Sequence, residues 1–199
     1  MRIGIFGGSF NPPHKMHKDI AMELMERDYL DKVIYVPTGN NYKKPDLLPG
    51  KDRIEMLKLM FQNDQNIMIS DFEVKGSLYT INTLNHFHTQ YPEDEIYFIC
   101  GTDNLEVFYT WKNYEEILKK YKLLVIARKN NVFHDIIKKY FKYRKNIILA
   151  EIESKDISST AIRKEIIENG FSDSLKEHLD ENVFEYLKKK LDIEVWKNI

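Results

Sequence analysis

Short apolar runs alternate along this chain with longer stretches of helical spacing. Ile3-Gly4-Ile5-Phe6 is closed by Gly7-Gly8, Val33-Ile34-Tyr35-Val36 by Pro37, and Ile96 to Cys100 by Gly101. Leu123 to Ala127 and Ile147 to Ala150 have the same character, and Ile67 to Phe72 is a further candidate strand. Continuous apolar runs bounded by glycine or proline are typical of strands buried on both faces. Between them, Ile20, Leu24 and Met25 share a helical face, and Ile54, Leu57 and Phe61 mark a second helix. Thr80 to Tyr91, Asp103 to Lys120 with a break near Trp111, and Val132 to Lys145 also read as helices. Thr160 to Asn169 and Glu181 to Leu191 close the chain as two more.

Strands alternating with helices predict parallel pairing and an α/β class, a doubly wound parallel sheet with helices on both faces. Ligands of such sheets lie beyond the carboxyl ends of the strands, near the point where strand order reverses. No repeat or low-complexity linker divides the sequence. It reads as a single domain over 1–199, with an α/β core at 1–155 and a C-terminal helical extension at 156–199 packed on it. The polar stretch from Thr38 to Gly50 holds two glycines, Pro45 and Pro49, and is a loop long enough to be functional.

Composition narrows the partners. The 199 residues are 43% hydrophobic and 31% charged, with a net charge of −1. That is ordinary globular composition, with no global field to draw nucleic acid or an anionic membrane. The basic segment from Lys138 to Lys145, with Tyr140, Phe141 and Tyr143 between, reads as a solvated helix face. The single cysteine, Cys100, lies inside an apolar strand and reads as a small core residue. One cysteine allows no internal disulfide and no zinc framework. No leader or membrane-spanning stretch is seen, so a cytoplasmic location is expected.

Candidate chemistry lies at two places. The first strand runs into Gly7-Gly8-Ser9-Phe10-Asn11-Pro12-Pro13-His14-Lys15-Met16-His17, and a helix follows. Glycines let backbone approach a phosphate, and a helix N-terminus offers free N–H groups to an anion. The loop is neither a Walker loop nor a dinucleotide fingerprint. His14 and His17, three residues apart, fall on one helical face and can donate to phosphoryl oxygens. Taken alone, the pair could also be part of a zinc site or incidental. The second place is Ile157-Ser158-Ser159-Thr160-Ala161-Ile162-Arg163, which opens a helix. Its serines can act as caps alone, or hold a triphosphate with Arg163 one turn in.

Together the two segments resemble the adenylyltransferases of the nucleotidyltransferase superfamily, whose hallmarks are G-x-F-x-P-x-H-x-G-H and I-S-S-T-x-I-R. Three further segments are similar to those of the bacterial nicotinate-nucleotide adenylyltransferase family. They are Ser77-Leu78-Tyr79-Thr80-Ile81-Asn82-Thr83, Gly101-Thr102-Asp103 followed by Trp111, and Val125-Ile126-Ala127-Arg128. The phosphopantetheine adenylyltransferases share the first and last motifs but carry an R-G-x-R segment not found here, and they are the alternative. A non-catalytic nucleotide sensor is a third reading. Two departures stand out: Met16 replaces the family glycine, and the loop 38–50 lacks the family's Pro-Pro-His-Lys segment.

The resemblance implies a Rossmann-like fold and transfer of the adenylyl group of ATP to nicotinate mononucleotide, with Mg2+ carried on the triphosphate. Catalytic roles fall to His14, His17 and Lys44, with Lys43 beside it. ATP binding is expected of Gly7, Gly8, Ser9, Phe10, Gly101, Asp103, Ile157, Ser158, Ser159 and Arg163. Acceptor binding is expected of Tyr79, Thr80, Thr83, Trp111 and Arg128. Met16 is expected either to crowd the triphosphate or to turn outward. His86, His88, His134 and His178 share no spacing and are read as surface residues. Oligomeric state is left open.

Overall fold

The computed structural model describes residues 1–40, 46–127, 133–152, 157–190 and 196. Lys43, Lys44 and Arg128 lie outside the described residues, as do Val132 and Leu191 at the edges of two expected helices.

Six strands form one sheet: β1 (Arg2–Gly8), β2 (Lys32–Pro37), β3 (Ile67–Ile69), β4 (Glu95–Gly101), β5 (Lys122–Ile126) and β6 (Ile147–Ala150). Their spatial order is β3-β2-β1-β4-β5-β6, and each neighbouring pair is parallel. Strand order therefore reverses between β1 and β4, which makes the carboxyl ends of these two strands the switch point of a Rossmann-like sheet.

Alternation along the strands sorts the core into two layers. Val33 and Tyr35 of β2 face one layer, and Ile34 and Val36 face the other. The first layer takes helices α1 (Lys15–Glu26), α2 (Gly50–Met60), α7 (Ser159–Asn169) and α8 (Glu181–Lys190). The second takes α3 (Thr80–Gln90), α4 (Thr102–Val107), α5 (Tyr114–Lys120) and α6 (Phe133–Lys138). Gly4 of β1 faces the first layer, where a Cβ would fall 2.4 Å from Leu30 and 2.8 Å from Ile99 side-chain carbons. Only glycine lets these two side chains close over the strand.

The expected helix from Asp103 to Lys120 is broken as anticipated. α4 passes into a 3-10 turn, Phe108–Thr110, and Asn113 takes a left-handed conformation (φ 55°) before α5 starts. Asparagine tolerates that conformation better than most residues. The expected strand to Phe72 stops at Ile69, where the Ser70 hydroxyl accepts from the Phe72 N–H and turns the chain. Val132 to Lys145 is likewise two pieces, α6 and a 3-10 turn over Phe141–Asn146.

The C-terminal part packs on the α1/α2 layer. Leu175, Leu179, Val183, Phe184, Leu187 and Trp196 are buried in that cluster. Among the described residues, no helix is long and apolar enough to cross a membrane.

Candidate active site

In a doubly wound sheet each helix that follows a strand starts at the carboxyl edge of the sheet. The loop after β1, the start of α3, the β4–α4 junction and the start of α7 therefore all border the same edge. The sequence marked residues in each of these segments.

The histidine loop is held tightly. Phe10 is left-handed (φ 46°), a conformation that costs a bulky residue on the order of 1–2 kcal/mol. Its ring is buried between Phe6, Tyr35 and His17, and this packing holds the strained backbone. A Cβ on Gly8 would lie 3.0 Å from the Phe10 ring, so glycine is the residue that lets this ring tuck under the loop. Phe10 thus supports the loop from below and does not present its ring to the cleft.

His14 is the N-cap of α1, and its ring stacks on that of His17, with centroids 3.7 Å apart. The His14 backbone N–H donates to Nδ1 of His17 at 3.1 Å. An accepting Nδ1 carries no proton, so the His17 proton sits on Nε2 and that edge of the ring is a hydrogen-bond donor. The backbone behind it is fixed as well, because the Tyr35 hydroxyl donates to the His17 carbonyl at 2.6 Å. Burial pushes the Tyr35 phenol well above its ordinary pKa, so it stays a donor. Met16 neither crowds the loop nor turns outward: it is buried in the α1/α2 layer, on the far side of the helix from the solvent.

The two motifs are bonded to each other. The Ser159 hydroxyl donates to the Pro12 carbonyl at 2.9 Å, and Arg163 Nη1 to the Asn11 carbonyl at 2.8 Å. Ser158 caps α7 by accepting from the Ala161 N–H. Arg163 Nη2 pairs with the carboxylate of Asp46. Lys15, between the histidines, donates through its ammonium to the Lys176 carbonyl and through its backbone N–H to the His178 carbonyl. His178 is in this way part of the staple between histidine loop and C-terminal helices. His86 is not a bare surface residue either, since it stacks on Phe72 at 3.9 Å.

At the switch point the floor is open. A Cβ on Gly101 would meet no atom within 4 Å, and one on Gly7 only the Phe98 ring at 3.5 Å. Asp103 stands exposed in the first turn of α4. Tyr79 and Thr80 open α3, with Tyr79 48% exposed. Thr83 differs from expectation: it is buried, and its hydroxyl donates to Glu73 at 2.7 Å, so it braces the segment from inside. Burial raises the pKa of the Glu73 carboxyl. Trp111 is half-buried and rests on Phe98 and Phe108, with centroids at 5.7 and 4.8 Å. Cys100 is buried, and its thiol is pushed up to about 12 by burial.

Three residues of the site escaped the sequence reading. Asn11 is buried, donating to the Asp46 carbonyl and accepting from the Leu48 N–H. Asp46 holds Arg163, as above. Arg53, fully buried on α2, donates to the carbonyls of Leu48, Ser9 and Thr38 and to the Asn40 side chain. A signal for Arg53 existed: it occupies the inward row of α2 with Met56, Leu57 and Met60, where the expected row began at Ile54.

The donors gathered here are N–H groups, hydroxyls and a guanidinium. They suit phosphate oxygens. Among the described residues no group of three or more His, Cys, Asp or Glu is placed to hold a metal.

An open glycine floor at the switch point is edged by a histidine pair and a serine–arginine helix start. The chain matches the cytidylyltransferase-like family over residues 5–165 and belongs to it. Within it the chain belongs to the nicotinate-nucleotide adenylyltransferases, and it is a nucleotidyltransferase enzyme. It is 39% identical over 196 residues to the probable nicotinate-nucleotide adenylyltransferase of Caldicellulosiruptor bescii, covering 96% of this chain and 97% of that one. It is 36% identical over 193 residues to the corresponding protein of Clostridium tetani, with 93% and 95% covered. Its fold matches the Plasmodium falciparum nicotinic acid mononucleotide adenylyltransferase complexed with NaAD, with a TM-score of 0.82, 20% identity and 98% of each chain covered.

Proposed function

We propose that this chain transfers the adenylyl group of Mg-ATP to nicotinate mononucleotide, giving deamido-NAD and pyrophosphate. The observation that carries the reading is the bonded pair of motifs, with His17 held as an Nε2–H donor beside the open floor at Gly7 and Gly101. The full-length likeness to nicotinate-nucleotide adenylyltransferases supports the acceptor, as does the NaAD bound by the Plasmodium protein.

In this mechanism an oxygen of the acceptor's phosphate attacks the α-phosphorus of ATP. The new P–O bond forms as the bond from that phosphorus to the bridging oxygen breaks, and the electron pair leaves with pyrophosphate. The attacking phosphate is already ionised, so no general base is needed. Catalysis is alignment and charge stabilisation. His17 and His14 take the α- and β-phosphates, Gly7, Gly8 and Ser9 line their path, and Ile157, Ser158, Ser159 and Arg163 hold the β- and γ-phosphates. Arg163 exchanges Asp46 for the nucleotide. Gly101 and Asp103 take the ribose, Asp103 accepting from its hydroxyls. Mg2+ carried on the triphosphate would supply neutralising charge there.

Tyr79, Thr80 and the first N–H groups of α3 receive the carboxylate of the pyridine ring, which stacks on Trp111. Thr83 acts from beneath through Glu73. Lys44 or Lys43 stands in at the leaving phosphates for the family's Pro-Pro-His-Lys lysine, and Arg128 is assigned to the acceptor by resemblance. A cytoplasmic location fits these substrates. The test is incubation with ATP labelled at the α-phosphate and nicotinate mononucleotide. Label recovered in the dinucleotide supports the reaction, and label recovered only in ATP or AMP rejects it.

A further inference from the structure

The buried guanidinium of Arg53 has no role in the reaction as written above, yet it touches both loops that border the triphosphate path. Burying a guanidinium is costly unless its donors are all engaged. Here Nε donates to the Leu48 carbonyl at 2.9 Å and Nη1 to the Ser9 carbonyl at 2.9 Å. Nη2 donates to the Thr38 carbonyl at 2.6 Å and to Asn40 Oδ1 at 3.1 Å. None of these four acceptors is a carboxylate. Burial lowers the Arg53 pKa only to about 10, so the charge persists at neutral pH.

The acceptors belong to two separate segments. Ser9 precedes the strained Phe10 in the histidine loop after β1. Thr38, Asn40 and Leu48 lie in the loop after β2. These are the loops of adjacent parallel strands, and their separation sets how far the histidine loop stands from its neighbour. A planar fork with fixed donor directions can hold such a spacing, whereas an ammonium is a point charge on a flexible stem.

We infer that Arg53 is a positioning residue for the transfer step, fixing the histidine loop against the loop after β2 so that the attacking phosphate and the α-phosphorus are aligned. The inference rests on the adenylyl transfer proposed above. Alignment errors of about 1 Å reduce turnover on the order of 10²-fold. Loss of the fork therefore acts on kcat through the histidine loop, whose donors meet the charge that builds in the transition state, while Asp103 and the acceptor-binding groups that carry ground-state binding stay in place.

The experiment compares wild type, Arg53→Lys and Asn40→Ala in steady-state pyrophosphate release from Mg-ATP and nicotinate mononucleotide, with thermal unfolding alongside. Arg53→Lys keeps the positive charge, and it should lower kcat by about 10- to 100-fold while each KM stays within about threefold. Asn40→Ala removes one partner at an exposed position, and it should lower kcat by about threefold with unchanged unfolding. A folded Arg53→Lys protein with wild-type kcat overturns the inference. So does a kcat that falls only in proportion to the folded fraction. Should Arg53→Lys fail to fold, Asn40→Ala decides: wild-type kcat overturns the inference and a selective fall in kcat supports it. Wild-type protein inert toward nicotinate mononucleotide overturns the proposed reaction and this inference with it.

Discussion

The two halves of the proposed site are built differently. On the nucleotide side, Phe10, Asn11 and His14 are each less than 5% exposed, and hydrogen bonds from Ser159, Arg163, Tyr35 and Lys15 pin the loop's backbone. On the acceptor side, Leu78 and Tyr79 are 39% and 48% exposed, and the Trp111 ring rests on Phe98 and Phe108. The difference follows from what each half must do. The transition state concentrates charge on the phosphates, and donors stabilise it only if already in position. The pyridine ring is flat, and a packed indole can stack on it without such rigidity.

The contrast is broken most severely by removing the preorganised donor. His17→Ala should lower kcat on the order of 10²–10³-fold, far beyond the modest fall in Tm expected from losing the ring's packing on Phe10 and its bond from the His14 N–H. Steady-state kinetics with thermal unfolding checks it, and near-normal kcat removes His17 from phosphate binding. Trp111→Ala should raise the KM for nicotinate mononucleotide about 10- to 100-fold, the worth of one stacked base, and leave that for ATP nearly unchanged. An equal rise in both would place Trp111 outside the acceptor site.

The smallest effect is on stability. Glu73 has a raised pKa in the fold, so the folded state holds its proton to higher pH than the unfolded chain does. Stability is therefore lost as pH rises from the unfolded carboxyl pKa through the folded one, and stays lost above it. Glu73→Gln keeps an acceptor for Thr83 and removes that penalty. It should raise Tm at pH 7 and leave Tm at pH 4 unchanged. A lower Tm at pH 7 would mean that the charge itself stabilises the turn.

The same contrast decided what could be read from sequence. The strands β2, β4 and β5 were legible because both of their faces are buried, which leaves uninterrupted apolar runs such as Val33 to Val36. The histidine loop and the Ile157–Arg163 segment were legible because each packs its chemistry into consecutive residues. Asn11 and Arg53 were not, because their partners are distant in sequence: Leu48 for Asn11, Ser9 and Thr38 for Arg53. An arginine on an inward helical row interrupts the apolar period, and the expected face was drawn through Ile54 instead. Thr83 was misread because an N-terminal helical threonine has the same pattern whether its hydroxyl meets a ligand or a buried carboxylate. The turn at Asp173–Glu177 was missed because five residues carry no period, although its Leu175 is fully buried.

In the proposed site a preorganised nucleotide half serves a pyridine-binding acceptor half. This pairing is tested most directly by pyrophosphate release from Mg-ATP with nicotinate mononucleotide, nicotinamide mononucleotide and phosphopantetheine offered separately. Strong release is expected with nicotinate mononucleotide, weaker release with the nicotinamide form, whose ring carries no carboxylate for the start of α3, and none with phosphopantetheine. Release with phosphopantetheine alone, or silence with all three from folded protein that binds ATP, would contradict it.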